Sequence, residues 1–375
     1  MIILNTVFIV LIACFTIVLL YTIYLWFRLK GYNQKPLCIK TFDNSNSPYH
    51  PSVVYYKDGW NCYKYWMAET PFSPQCKPYR DRNECPSIHV SNDGISWHEI
   101  NTNPIDDLDG EGVKNLDYFS DPHLVLQGNR IECWYRLSYR NGDVNNHSNI
   151  KLVRKTSYDG IHWGERECLV DFINEKTVLG KVIVSHAVIF KNDKYHMWYV
   201  DRERVYKDEK AEQREVLYSS SPNGKVWNNP IKCCLSGKCL NPWHIDVNFI
   251  DGKYWLICYD DKDISLWESK DGINYRYIKN LITTSVFGSF YSNNLYRAVM
   301  IKDDCYKLFF SANNSFQTFI GLMSGESPKQ MEITSPDSKN FCSYPGLLNL
   351  LWKTYQRKAV FMTRNCIKKT IQHFK

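Results

Sequence analysis

A turn of seven residues recurs four times along this chain and leaves little freedom in how it can fold. It reads Ser91-Asn92-Asp93-Gly94 with Trp97, Ser157-Tyr158-Asp159-Gly160 with Trp163, Ser221-Pro222-Asn223-Gly224 with Trp227, and Ser269-Lys270-Asp271-Gly272 with Tyr275. Asp-Gly and Asn-Gly supply the positive φ values that tight reversals need, and an aromatic three residues beyond the glycine can fill the gap between neighbouring sheets. Strand-like segments rich in Tyr and Trp stand at 63–67, 131–135, 195–200, 254–259 and 306–311, each after an apolar run at 53–56, 123–126, 187–190, 247–250 or 298–301. Five radial copies of such a unit predict an all-β, five-bladed β-propeller over residues 48–335, with its innermost strands converging on a central channel. A β-sandwich with coincidental turns is the competing fold.

Composition bears on the surface of that channel and on partners. Aromatic residues make up 15% of the 375-residue chain, a bias that favours strands and surfaces able to stack on the flat faces of sugar rings. The net charge of +7 does not point to nucleic acid, because residues 344–375 hold seven Lys or Arg and no Asp or Glu, which leaves the remainder neutral. That stretch interleaves its basic residues with Leu350, Trp352, Phe361 and Ile367, so a basic, amphipathic tail at 336–375 is expected to meet an anionic membrane surface or simply solvent. The 14 cysteines show no repeated spacing, and Cys233, Cys234 and Cys239 lack the paired knuckles of a structural zinc site. No disulfide framework is legible.

Beyond residues 1–5, the stretch 6–27 has no charged side chain and is dominated by Val, Ile, Leu and Phe, long enough to span a bilayer as a single transmembrane helix. It lacks the basic start and small-residue cleavage site of a signal peptide. No Lys or Arg precedes it, whereas Arg28, Lys30, Lys35 and Lys40 follow in the linker 28–47. The positive-inside rule therefore predicts a single-pass protein of the cell membrane with its propeller facing the cytoplasm.

Four motifs resemble those of the five-bladed propeller superfamily that includes glycoside hydrolase families 43, 32, 68 and 130, in particular a poorly characterised bacterial branch. They are His50-Pro51-Ser52, Trp60-Asn61 with Tyr63-Lys64-Tyr65-Trp66-Met67-Ala68, Ser120-Asp121-Pro122-His123-Leu124, and Trp243-His244-Ile245-Asp246-Val247. The resemblance covers residues 48–335 and implies carboxylates at the inner ends of the blades: Asp in the first, Asp in the second, Glu in the third. Asp121-Pro122 matches the second. The first-blade position reads His50-Pro51-Ser52 and the third reads Val184-Ser185-His186-Ala187, with no acid in either.

Glycoside hydrolysis needs two carboxyl groups flanking the scissile bond. The candidates are Asp121 and Asp246 across the channel with Glu84 above them, while Glu69, closing a strand of the first blade, is a weaker one. His50, His123, Arg136, His186, His244 and Arg297 are the expected substrate-binding or pKa-setting neighbours, since Arg can hold a carboxylate bidentately and His can titrate near neutrality. Several His and Asp converging on one channel could instead bind a metal ion, but no H-x-H or H-E-x-x-H spacing supports that, so neither a metal nor another cofactor is expected. Trp60, Trp66, Trp134, Trp243 and Tyr259 are candidate sugar platforms, with packing between blades as the alternative role. The predicted function is a membrane-anchored, glycoside-hydrolase-like enzyme acting on a membrane-associated glycan or glycoconjugate. The alternatives are a non-catalytic glycan-binding propeller that has lost the two acids, and a protein-interaction propeller. Substrate choice is expected to lie in the inserts at about 69–84, 101–120, 201–215 and 228–243.

Overall fold

A computed structural model describes residues 12–13, 15–17, 19–21, 34–72, 84–143, 146, 149–180, 182–201, 214–238, 240–260, 263–284, 289–314 and 317–334. Five sheets follow one another in the chain, each built from consecutive strands and antiparallel throughout, except that in the fourth an added edge strand, Cys234–Ser236, pairs parallel with Asn274–Thr283. The inner strands are Pro48–Trp60, Tyr118–Gln127, Ile183–Lys191, His244–Ile250 and Asn294–Lys302. Each pairs with the strand that follows it: Tyr63–Pro71, Arg130–Ser138, Lys194–Asp201, Lys253–Asp260 and Tyr306–Asn313. The predicted strands are thus all present, but four of the five inner ones begin several residues earlier than predicted. Their missed starts hold His, Asp, Pro, Arg and Ser, which have weak strand preference, and in the first, second and fifth blades a bulge breaks the register there.

The recurring turn closes the third strand of each of the first four blades by one repeated set of hydrogen bonds. The Ser91 hydroxyl accepts from Gly94 N at 2.9 Å, Asp93 Oδ1 accepts from Ile95 N and Ser96 N at 2.7 Å, and Trp97 Nε1 donates to Gly94 O at 3.2 Å. The same bonds recur around Ser157 and Ser221, and without the indole contact around Ser269. The glycine is needed twice over: its φ is positive, and its bare face takes the indole of the preceding blade. A Cβ on Gly160 would lie 2.1 Å from Trp66, one on Gly224 2.8 Å from Trp134, and one on Gly272 2.9 Å from Trp198. Those tryptophans are fully buried, so Trp66 and Trp134 are packing residues rather than sugar platforms.

Apolar clusters fill the gaps between blades. Ile88, Phe119 and Tyr135 lie between the first and second; Val125, Trp134 and Met197 between the second and third; Trp198, Val247 and Leu256 between the third and fourth; Ile264, Met300 and Phe310 between the fourth and fifth. The fifth gap closes the ring without a strand borrowed from the other end of the chain. The segment ahead of the first blade lies along it instead: Leu37 N donates to Ile320 O at 2.8 Å, and Leu37 and Ile39 are buried with Val53, Trp97, Phe309 and Leu322.

Five side chains stitch neighbouring blades together around the channel, four of them on inner strands and the fifth, Ser311, on the second strand of the fifth blade. Ser52 Oγ accepts from Leu124 N (2.9 Å), His123 Nε2 lies 2.8 Å from Val188 O and 3.0 Å from its N, and Ser185 Oγ accepts from Ile245 N (3.2 Å). Asp246 accepts from the Met300 backbone N–H, and Ser311 Oγ accepts from His50 N (3.0 Å), which returns the ring to its start.

Among the described residues no helix is long and apolar enough to cross a membrane. Of the predicted span 6–27, residues 12–13, 15–17 and 19–21 are described and helical, and the rest lies outside the described residues, as do 73–83, 202–213 and the basic tail. The described cysteines are free, among them the buried Cys85, Cys133, Cys233 and Cys258.

The glycine contacts set a graded test. Gly160→Ala places a methyl group into Trp66 at φ +75° and should cost about 3 kcal/mol, read as a lower denaturation midpoint. Gly128→Ala, at φ +60° in open space, should cost only about 1 kcal/mol.

Candidate functional site

The mouth of the channel is built at the bulged starts of the inner strands. His50 and Asp121 occupy matching places in the first and second blades, each followed by Pro and each held at positive φ, +51° and +54°. His244 opens the fourth inner strand, and Tyr296 and Arg297 fill the bulge of the fifth. Left-handed backbone at a residue with a side chain is strained, and such strain gathers where geometry serves function. Glu84, at φ +52°, leads into the third strand of the first blade beside His50.

Asp121 is the centre of this group and has no exposure to solvent. Arg136 Nε donates to its Oδ2 at 2.9 Å and Arg136 Nη2 to the same oxygen. The other oxygen, Oδ1, lies 3.2 Å from His244 Nδ1 and 3.7 Å from Arg297 Nη1. Burial by itself would raise this carboxyl, but Arg136 and then His244 outweigh it and hold it well below the usual carboxylate range. Asp121 is therefore an anion at any ordinary pH. Burial, opposed only in part by Asp121, holds His244 down at about 4, so its imidazole is neutral at pH 7.

His50, Asp121 and His244 each offer a ligand atom within 4.8 Å of the other two. Two imidazoles and a carboxylate are an ordinary donor set for a divalent transition metal. Hydrogen bonding fits the same use. Buried polar atoms normally find partners, yet Asp121 Oδ1, His50 Nε2 and both ring nitrogens of His244 have none within hydrogen-bonding geometry. His50 Nδ1 is engaged on its far side, 2.9 Å from Thr70 Oγ1 and 3.3 Å from Glu84 Oε2, which fixes the ring and leaves Nε2 as its unengaged nitrogen. The expectation of no metal rested on local spacing. The three residues come from three different blades, so only the closed ring brings them together.

The other predicted residues divide by depth. Asp246 stands two residues beyond His244, one pleat further along the channel, rather than beside Asp121. It faces His123 at 3.7 Å, accepts from Asn248 Nδ2 at 2.7 Å, and is raised by burial, against the pull of Arg297, to about 7. His123 is in the stitching ring and is pushed by burial and then Arg297 down to about 3. Arg297 has no exposure; its Nη2 donates to His186 O at 3.2 Å and meets His123 Nδ1 at 3.1 Å. His186 is buried with neither ring nitrogen hydrogen-bonded and is held well below its ordinary value by burial, then Arg297. These groups form a second layer beneath the mouth. Glu69 is fully buried on His89 Nε2 at 3.1 Å and belongs to the first blade's core.

Tyr296 has no place among the predicted residues. Its ring packs on His244 at 4.0 Å and His50 at 5.2 Å, and its hydroxyl accepts from Trp243 Nε1 at 2.9 Å, leaving its own proton to give. Burial, then the Asp121 charge, keeps that hydroxyl protonated. Its position beside Arg297, at the fifth blade's counterpart of His50-Pro51, was the available signal. Trp243 is half-buried with the Arg214 guanidinium over its ring at 4.2 Å and remains an aromatic wall of the mouth, whereas Tyr259 is buried in the core between the fourth and fifth blades.

Comparison with known proteins agrees with this architecture. A family-43 β-xylosidase/α-arabinofuranosidase from a compost microbial metagenome, solved with xylotriose, superposes with a TM-score of 0.56 at 10% identity over 83% of this chain and 99% of that one. The chain has the fold of the five-bladed glycoside-hydrolase propellers. Within that fold, an N-acetylgalactosamine deacetylase from F. plautii, solved with blood group B trisaccharide, superposes with a TM-score of 0.65 at 18% identity, over 78% of this propeller chain and 94% of that one. By sequence, the A type blood N-acetyl-α-D-galactosamine deacetylase of Flavonifractor plautii is 25% identical over 66% of this chain. The chain spans 37% of the length of that relative. No family model matches. The relatives named are all carbohydrate-active enzymes.

Asp246 gives the site a pH signature. A carboxyl at about 7 when folded and near 3.8 when free stabilises the native state fully below pH 3.8. That contribution is lost as pH rises towards 7, because the unfolded chain ionises first. Asp246→Asn should therefore flatten the fall in stability across this window, measured by urea denaturation at a series of pH values.

Proposed function

We propose that this protein is a membrane-anchored carbohydrate-active hydrolase that removes an acetyl group from an N-acetylated sugar of a membrane-associated glycan. One observation carries the reading: His50, Asp121 and His244 converge with buried, unengaged ligand atoms, and Glu84 stands 3.3 Å from His50. The deacetylase relative supports it, as does the absence of acids from the positions matching the first-blade Asp and third-blade Glu.

Each side chain then has a role. His50, Asp121 and His244 would hold a divalent ion, which supplies Lewis-acid polarisation of the amide carbonyl. Arg136 keeps Asp121 ionised and fixed in orientation. Hydrolysis adds water across the amide C–N bond, so that acetate and a free amino sugar leave, while Glu84, on the far side of His50 from the ion, would fix the orientation of that ring. The Tyr296 hydroxyl donates to the carbonyl oxygen as negative charge gathers there. Trp243 offers a flat apolar face to the sugar.

A second reading, a two-carboxylate glycosidase, is favoured by one feature: Asp121 is held ionised while Asp246 stays protonated to about pH 7, the division of labour between base and acid. Acetate release and glycoside cleavage separate the two. Under the deacetylase reading, a chelator abolishes acetate release from N-acetylhexosamine conjugates and Zn²⁺ or Co²⁺ restores it. Glu84→Gln should weaken metal affinity by about 10- to 100-fold, and His244→Ala should lose the metal. Chelator-resistant hydrolysis of aryl glycosides that disappears in Asp246→Asn would favour the glycosidase.

The anchor is supported by the uncharged run at 6–27 and by its described helical positions, where Phe15, Ile17 and Leu20 are exposed at 69%, 65% and 61%. Arg28, Lys30, Lys35 and Lys40 favour a cytoplasmic propeller. In sealed, right-side-out vesicles the propeller should then resist external protease until detergent is added. Digestion without detergent would reverse the orientation.

A further inference from the structure

The chain approaches the propeller on the same face as the channel mouth. Gln34 Oε1 accepts from the Tyr291 hydroxyl at 2.6 Å, and Tyr291 lies three residues before Asn294, where the fifth inner strand begins. From there the chain dips into the seam, with Leu37 N on Ile320 O, and climbs back to the same rim. Ser47 O accepts from Phe72 N at 2.8 Å, and Asn46 O accepts from Gln317 Nε2. The first inner strand then starts at Pro48, where Tyr49 stacks on Tyr296 at 5.1 Å. The docked segment and the site thus share one rim.

Seven peptide steps separate Phe27, the end of the apolar run, from Gln34, so even a fully extended chain spans only about 25 Å between them. The fifth inner strand alone, Asn294–Lys302, covers about 27 Å from the channel-mouth face to the opposite one. That opposite face carries its own cavity of about 480 Å³, lined by Val54, Leu126, Phe190, Ile250 and Ile301. A tether of seven steps attached at the mouth rim is too short to run back along a blade and present that far face to the bilayer. Arg28 and Lys30 in the tether also suit a surface of anionic headgroups.

We propose that the channel mouth faces the bilayer that holds the anchor, and that the substrate is a glycan still attached to a lipid of that bilayer. This rests on the anchor and acetyl-hydrolase readings given under Proposed function. A soluble polymer would have to enter a gap no wider than the tether allows. A lipid-borne sugar already lies in it, and diffusion in the plane of the membrane delivers it.

The test uses the full chain in nanodiscs of phosphatidylcholine and phosphatidylglycerol doped with a lipid bearing a diazirine on its headgroup. Photoadducts are expected on the mouth rim at 45–47 and 289–293 and not on the far hairpins at 127–130, 191–194 and 251–253. In the same discs, acetate release from an N-acetylhexosaminyl lipid should exceed that from the free sugar by roughly 100-fold in kcat/KM. Adducts on the far hairpins, or failure of the chain to stay with the disc, overturn the orientation. Rim adducts with equal rates on lipid-borne and free sugar overturn the substrate class. Rim adducts with no acetate release from either sugar uphold the orientation and sink the acetyl-hydrolase reading instead.

Discussion

The hydrogen bonds that stitch the inner strands together decide what the channel can be used for. An inner strand has a partner on one side only, and its other edge would leave backbone N–H groups buried and unpaired. Ser52, His123, Ser185, Asp246 and Ser311 meet that need, one in each gap between blades. Each buried donor left without its acceptor would cost about 1 to 3 kcal/mol, so the ring is held to polar side chains at these depths. His123 and Asp246 are committed to it. The residues at the strand starts are not, and this is the physical reason that His50, Asp121 and His244 keep free ligand atoms.

Electrostatics then bind the mouth into one unit. Asp121 is buried without exposure and tolerated because Arg136 grips one oxygen while His244 and Arg297 face the other. Removing one partner of such a pair leaves an uncompensated charge, typically costing about 3 to 5 kcal/mol. Arg136 therefore positions the carboxylate as much as it neutralises it. Arg297 does the same one layer down, between Asp121 and the His186 carbonyl.

What was legible in the sequence was whatever is decided locally. The turn at Ser157, Asp159, Gly160 and Trp163 is complete within seven residues, so its recurrence implied blades, and the five Tyr- and Trp-rich strands gave their number. Asp121 was legible through Asp-Pro in the second blade. His50 and His244 were named as its neighbours, but their approach to one another within a few ångströms was not legible, since the three stand far apart in sequence and meet only when the ring closes. The first blade lacks the expected acid, but His50 sits at the matching bulge with the same left-handed backbone as Asp121 and brings an imidazole there instead. Tyr296 escaped notice because a tyrosine in so aromatic a chain carries little signal by itself.

The left-handed conformation of His50, Glu84 and Asp121 has one more implication. Each costs about 1 to 2 kcal/mol that glycine would not incur, and none of the three is needed to close the ring of hydrogen bonds through its side chain. Selection for folding alone would drift these positions towards glycine or asparagine. A redesign that optimised this protein only for heat resistance would make the same exchanges, and would return a sturdier propeller with an empty mouth.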